Sequence, residues 1–262
     1  MTDSIELSKD NGVATVTLNR PEKHNAFDDS VIGQMTEAFE HIEHDDSIRL
    51  MVLASSGKSF SAGADLAWMK RMAGYSYDEN LRDARALANM LKTLNNLSKP
   101  SIARVQGATF GGAVGLVSCC DIAIASSKAS FCLSEVKIGL IPATISPYVV
   151  AAIGSRAARR LFITAERFSA ERAFALNLVS EVCDPEQLDA RLSELSEIIL
   201  ANSPAAVSAA KQLVLDISGA SIDDDLIEDT SKRIAAIRTS KEGQEGLTAF
   251  LDKRPPSWIK PA

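Results

Sequence analysis

The hydrophobic and polar positions of the chain fall into short β-branched or apolar runs separated by longer stretches with one apolar face. Residues 13–18 read Val-Ala-Thr-Val-Thr-Leu, and Asn11-Gly12 just ahead is a hairpin signal. Together they predict strand, turn and strand over residues 4–19. Asn19-Arg20-Pro21 ends the second strand. Asp28 or Asp29 then stands as the N-cap of a helix running to about residue 44, with Ile32, Met35, Phe39 and Ile42 on one face. Residues 50–54 are continuously apolar, as expected of a strand covered on both faces. A Ser/Gly loop over 55–63 leads to helical stretches from about residue 66 and over 77–97, the latter stopped by Lys99-Pro100. A strand over 101–105, a glycine-rich turn into a helix over 107–115 and a strand over 121–125 follow.

Strands alternating with helices at this spacing imply right-handed crossovers and a mostly parallel sheet, hence an α/β fold. After about residue 185 the strand signals stop, and 185–201, 204–216, 222–238 and 241–251 all read as helices. The expected organisation is a βα core over 1–190 that carries the ligand site, followed by a helical region over 191–262.

Composition narrows the class. With 262 residues, 46% hydrophobic and 24% charged, the chain is neither disordered nor fibrous. A net charge of −6 and the lack of a basic-aromatic stripe argue against a nucleic-acid partner. The most apolar run, 113–125, is cut by Asp121, so no membrane span is expected, and the first ten residues lack the basic and apolar regions of a signal peptide. Cys119, Cys120, Cys132 and Cys183 form no CxxC pair and read as free thiols of a reducing compartment, so a cytoplasmic location is expected.

Several chemistries drop out. Gly57-Lys58-Ser59 lacks the upstream glycine of a phosphate-binding loop, since that position is Val52 in a strand. There is no GxGxxG after the first strand and no GxSxG elbow. His24, His41 and His44 offer little for a zinc site or a Ser-His-Asp triad, so no metal is expected. What remains is two glycine-rich loops, each entering a helix after a strand: residues 60–66 (Phe-Ser-Ala-Gly-Ala-Asp-Leu) and 107–113 (Gly-Ala-Thr-Phe-Gly-Gly-Ala). Small residues let a ligand approach the backbone there, and the helix N-terminus offers unpaired N–H groups. Two converging donors would form an oxyanion hole; tight helix–strand packing is the alternative.

These loops belong to a larger collinear pattern. Residues 19–26 (Asn-Arg-Pro-Glu-Lys-His-Asn-Ala), 60–66, 107–112 with Cys120-Asp121, 131–135 (Phe-Cys-Leu-Ser-Glu), 138–142 (Ile-Gly-Leu-Ile-Pro) and 250–254 resemble the enoyl-CoA hydratase/isomerase (crotonase) family. The resemblance implies a crotonase-like spiral of ββα units with a helical C-terminal trimerisation region. It also implies homotrimers or hexamers, acyl-CoA thioesters as substrates, and no cofactor beyond the coenzyme A that is part of the substrate. By position, Ala64 and Gly112 would supply the two N–H groups for the thioester oxygen. Lys23, Ala26, Ala62, Asp65 and Leu66 would lie along the CoA. Phe250 and Lys253 match positions where a neighbouring subunit closes over it, although Phe250 fits core packing equally well.

Family hydratases use two glutamates, and one matches Glu135. The other falls at Gly115, which puts standard two-acid hydration in doubt. Residues 61–69 and 139–148 look like bacterial methylglutaconyl-CoA and isohexenylglutaconyl-CoA hydratases, enzymes of leucine and acyclic terpenoid breakdown. Most of the family is glycine-rich where this chain has residues 143–147, and a stiffer, bulkier Thr-Ile-Ser-Pro segment should reshape the acyl pocket. Such substrates carry a second carboxylate, for which Lys70 and Arg71 are candidate partners, with a solvated helix face as the alternative. Thr109, Ser118 and Ser146 are candidates for orienting water. The leading expectation is hydration of a branched, carboxylate-bearing 2-enoyl-CoA with Glu135 as acid/base. A 3,2-enoyl-CoA isomerase using Glu135 alone and a non-catalytic acyl-CoA binder are the alternatives.

Overall fold

The computed structural model describes residues 4–259. β1 (Ile5–Asp10) and β2 (Val13–Leu18) form the expected hairpin, with Asn11 and Gly12 at φ 47° and 84°, the positive values a two-residue turn demands. α1 (Asp29–His44) starts on Asp28, whose Oδ1 accepts from the Val31 N–H at 3.0 Å, and buries Ile32, Met35, Phe39 and Ile42 as the spacing predicts. β3 (Leu50–Ser55), α2 (Leu66–Met72), α3 (Tyr77–Asn95) and β4 (Ser101–Val105) follow. Next come β5 (Ala108–Phe110), α4 (Gly112–Cys119), β6 (Ile122–Ser126), β7 (Ser130–Cys132), α5 (Ser146–Thr164), β8 (Phe168–Ser169), α6 (Ala170–Ala175) and β9 (Glu181–Cys183). The chain closes with α7 (Leu188–Leu200), α8 (Pro204–Ile217), α9 (Asp224–Thr239) and α10 (Lys241–Leu251).

The main sheet runs β1-β2-β3-β4-β6-β9 and is parallel except at the first hairpin. A small second sheet runs β5-β7-β8: residues 108–110, expected within a turn, are a strand paired with β7. Three residues are too few to show a period, which is why the pattern hid them.

Successive residues of the main strands face opposite ways. Leu50, Ile102 and Ile124 meet Leu192, Leu195 and Ile199 of α7. Met51, Leu53, Ala103 and Ala125 join the larger core with Phe39 of α1 and Met90 and Leu94 of α3. Both faces are therefore covered, which accounts for the unbroken apolar run of β3. α7 lies across residue 190 and roofs the sheet.

Leu50→Ala is expected to lower the unfolding free energy by about 3 kcal/mol, in a single denaturation transition. Near-native stability of that variant would show that the α7 face is not part of the cooperative core.

Candidate active site

Two strand-to-helix turns build the site, and backbone hydrogen bonds hold them together. The Ser61 N–H donates to the Ala108 carbonyl at 3.0 Å, and the Phe110 N–H donates back to the Ser61 carbonyl at 3.0 Å. Gly63, at φ 90°, sits so close to the second turn that a Cβ would lie 2.8 Å from the Phe110 carbonyl oxygen. A third segment completes the stack: the Phe27 N–H donates to the Gly63 carbonyl at 2.9 Å, and the Asp65 N–H donates to the Phe27 carbonyl at 3.0 Å. In this parallel pairing Phe27 engages the residues on either side of Ala64, so the N–H of Ala64 itself faces the other way.

Among the described residues the Ala64 N–H has no protein acceptor. Neither has the N–H of Gly112, which opens α4 and therefore lacks an intrahelical partner. Ala64 and Gly112 line the same cavity, of about 350 Å³. Both glycine-rich loops thus contribute a residue to one cavity.

Glu135 enters this cavity from the turn after β7. Its Oε2 is buried without any hydrogen-bond partner, and Oε1 lies 3.4 Å from where a Cβ on Gly111 would stand. Burial raises its pKa above the ordinary glutamate value, opposed in part by a hydrogen bond from its own backbone N–H. One carboxylate oxygen and two N–H groups without protein partners, all on residues that line one cavity, are the unsatisfied polar groups of the site.

The family model for enoyl-CoA hydratase/isomerase matches residues 8–261. The chain belongs to that family. An enoyl-CoA hydratase from Shewanella pealeana superposes with a TM-score of 0.95 at 47% identity, covering 98% of this chain and 96% of that one. The short-chain-enoyl-CoA hydratase of Clostridium acetobutylicum is 31% identical over 258 residues, 96% of each chain. The trans-2-decenoyl-acyl-carrier-protein isomerase of Streptococcus mutans is 32% identical over 258 residues, 97% of each chain. Hydration and double-bond migration thus both stand among relatives of similar identity, and the cavity itself has to discriminate.

In this crotonase the position expected to hold a second glutamate is closed. A Cβ on Gly115 would stand 2.3 Å from Cγ2 of Ile145, a fully buried side chain at the start of α5. The Ile145 methyl group fills the space through which another carboxylate would reach the cavity. The rest of the wall is mostly apolar, with Phe27, Leu87 and residues 140–145 contributing. Its polar exceptions are Thr144, Asn80 and Asp83, and the Trp68 indole N–H donates to Asp83 Oδ2 at 2.9 Å. Sequence reasoning missed Trp68 and Asp83. The signal was available, since Asn80, Asp83, Ala84 and Leu87 recur at i, i+3, i+4 and i+7 along one face of α3.

The expectation for Asp65 needs correction. Asp65 is not free to meet CoA: Oδ1 caps α2 by accepting from the Ala67 and Trp68 N–H groups, and Oδ2 accepts from Arg20 and Lys23 at 3.2 Å each. Burial alone would raise its pKa, but the bonds from Lys23 and the two N–H groups outweigh that and hold it below the ordinary value. Lys23, Ala62 and Leu66 are exposed and Ala26 is buried, and none of the four lines the acyl cavity. Phe250, 82% exposed, is not core packing, and neither it nor Lys253 reaches the cavity of its own chain. Lys70 and Arg71 are exposed and do not line the cavity, Arg71 pairing with Asp29 at 2.5 Å. The hydroxyls of Thr109, Ser118 and Ser146 donate to the carbonyls of Gly107, Val114 and Ala143, and none of the three residues lines the cavity. No group of three or more His, Cys, Asp or Glu suited to a metal occurs among the described residues.

Glu135→Gln should reduce turnover by at least about a hundredfold while leaving thioester binding intact. The acid limb of the wild-type kcat/KM profile should lie above the usual glutamate range, because the raised pKa delays ionisation of the base. The same shift affects stability. Below the ordinary glutamate pKa both folded and unfolded chains carry the proton; above it the unfolded chain ionises first, so wild-type stability falls with rising pH. Glu135→Gln should therefore be the more stable protein at neutral pH, with the difference vanishing near pH 4. Paired thermal melts would show whether it does.

Proposed function

We propose that this protein adds water to the double bond of a 2-enoyl-CoA, with Glu135 as the acid/base. The observation carrying the proposal is the unpartnered Oε2 of Glu135 in the cavity that also receives the free N–H groups of Ala64 and Gly112. In that reading the thioester oxygen accepts from both N–H groups. Water adds through its oxygen at the β carbon as the Glu135 carboxylate takes its proton. The electron pair of the double bond moves onto the thioester oxygen, where the two donors and the N-terminus of α4 stabilise the enolate. Collapse of the enolate takes the proton from Glu135 onto the α carbon, giving the 3-hydroxyacyl thioester.

The finer reading is a branched, carboxylate-bearing acyl group of the methylglutaconyl type. It is supported by the sequence of residues 139–148, because six consecutive members of that segment, 140–145, line the cavity. The wall holds the acids Asp83 and Glu135 and no Lys, Arg or His among the described residues. We therefore place the second carboxylate of such a substrate toward the cavity mouth, where water solvates it. A second reading, 3,2-isomerisation, is favoured by the closure at Gly115: one carboxylate suffices to remove a proton from C2 and return it to C4.

We further propose that the chain works as a homotrimer, alone or paired into a hexamer. Support comes from the apolar side chains left exposed on α8–α10, among them Val214, Ile227, Leu247, Phe250 and Leu251. Burial raises the pKa of the Cys119 and Cys120 thiols, and all four cysteines are free, in keeping with a reducing, cytoplasmic setting. Sedimentation at a mass of three or six chains is expected; a monomer at working concentration would remove the trimer.

Crotonyl, methylglutaconyl and isohexenylglutaconyl thioesters should be screened in deuterated water beside a 3-enoyl-CoA. A 3-hydroxyacyl product carrying one deuterium at the α carbon is expected, fastest with a branched substrate. Double-bond migration without alcohol formation would select isomerisation. Binding without turnover of any thioester would leave only a carrier of acyl-CoA.

A further inference from the structure

Arg20 lies outside the acyl cavity, yet it is tied to two of the segments that hold the Ala64 backbone, residues 26–28 and Asp65. Its Nη1 donates to the Ala26 carbonyl and to Asp28 Oδ2, both at 3.0 Å, and its Nη2 donates to Asp65 Oδ2 at 3.2 Å. Each of these carboxylates already caps a helix with its other oxygen: Asp28 holds the start of α1, and Asp65 the start of α2. The guanidinium therefore bridges two helix N-caps, with side-chain exposures of only 13% for Arg20, 19% for Asp28 and 7% for Asp65. Its own backbone is fixed as well. The Arg20 N–H donates to Asn25 Oδ1 at 2.9 Å, while Asn25 Nδ2 donates to the Ser56 and Ser59 carbonyls at 2.7 and 2.9 Å.

The two segments bridged are the ones whose backbones flank Ala64. Ala26 and Asp28 enclose Phe27, which pairs with Gly63 and Asp65. Arg20 thus closes a ring of contacts one residue from the N–H that is to meet a developing oxyanion. Charge points the same way. Asp65 places a carboxylate beside that N–H, which would oppose the enolate, and Arg20 together with Lys23 neutralises it. A planar fork with donors on two sides suits this bridge in a way an ammonium does not.

We propose that Arg20 is a positioning residue of the oxyanion hole, fixing the aim of the Ala64 N–H and cancelling the charge of Asp65. The proposal rests on the reading of Ala64 and Gly112 as donors to the thioester oxygen. It requires Arg20 to act on transition-state stabilisation more than on binding.

The test compares Arg20→Gln and Arg20→Lys by steady-state kinetics and by infrared spectroscopy. The spectra follow the carbonyl stretch of crotonyl-CoA, carbon-13-labelled at the thioester, bound to each variant in a Glu135→Gln background so that it is not consumed. Arg20→Gln should lower kcat about tenfold or more with KM held within about twofold, and should shrink the downshift of the carbonyl band on binding. Arg20→Lys should recover part of both, since it restores the charge and not the fork. An unchanged kcat and carbonyl band, or a change in KM alone, would overturn the proposal. If Arg20→Gln yields no folded protein, Arg20→Lys decides by the same two readouts. A carbonyl band that does not move even with Arg20 present would instead overturn the thioester-oxygen reading beneath it.

Discussion

Leaving a buried N–H without an acceptor costs about 1–3 kcal/mol, and most proteins avoid it by pairing every such group. Ala64 and Gly112 are half-buried, and among the described residues neither N–H has a protein acceptor, because the pairing around them is complete. Phe27 takes the groups on both sides of Ala64, Ser61 and the 108–110 strand bind each other, and the Gly111 N–H donates to the Cys132 carbonyl at 2.8 Å. Once those bonds are made, neither remaining N–H can find a protein partner without breaking one of them. The small sheet of β5, β7 and β8 is thus more than a continuation of the fold: β5 carries the second turn, and β7 delivers Glu135 three residues after its end.

Two carboxylates near these N–H groups are driven in opposite directions by their surroundings. Glu135 faces an apolar cavity with one oxygen unpartnered, and burial makes its charged form unfavourable. Asp65 is more deeply enclosed, yet its hydrogen bonds keep it ionised. The first is suited to carrying a proton back and forth; the second is suited to holding backbone in place. Residue type alone does not separate these roles, and the difference comes from what each oxygen touches.

Much of this was readable in the sequence. The hairpin at Asn11-Gly12, the cap at Asp28, the apolar β3 and the helical end of the chain follow local rules of turn chemistry, capping and periodicity, and the structure agrees with them. The two glycine-rich loops and Glu135 were visible as motifs, and they do line one cavity. The parts that were hidden depend on contacts between distant segments. Asp65 and Leu66 were expected along the CoA from their place in the family pattern, yet tertiary bonds claim the Asp65 side chain, and Trp68 and Asp83 line the cavity. Lys70 and Arg71 sit next to the site in sequence but on the outer side of α2, a difference of helical phase that no list of residue types reveals. The segment 143–147 was read as bulky, but the meeting of Ile145 with Gly115 joins two positions thirty residues apart.

That meeting constrains how the protein can change. With Ile145 in place, any side chain at position 115 collides with it; with Ile145 trimmed and Gly115 kept, the interior is left with a hole beside Leu91. The two sites are therefore epistatic, each residue tolerable chiefly in the company of the other. A lineage moving between one-acid and two-acid variants of this cavity would have to alter both together or pass through a weakened intermediate, and a laboratory selection that samples one codon at a time would stall at the same barrier.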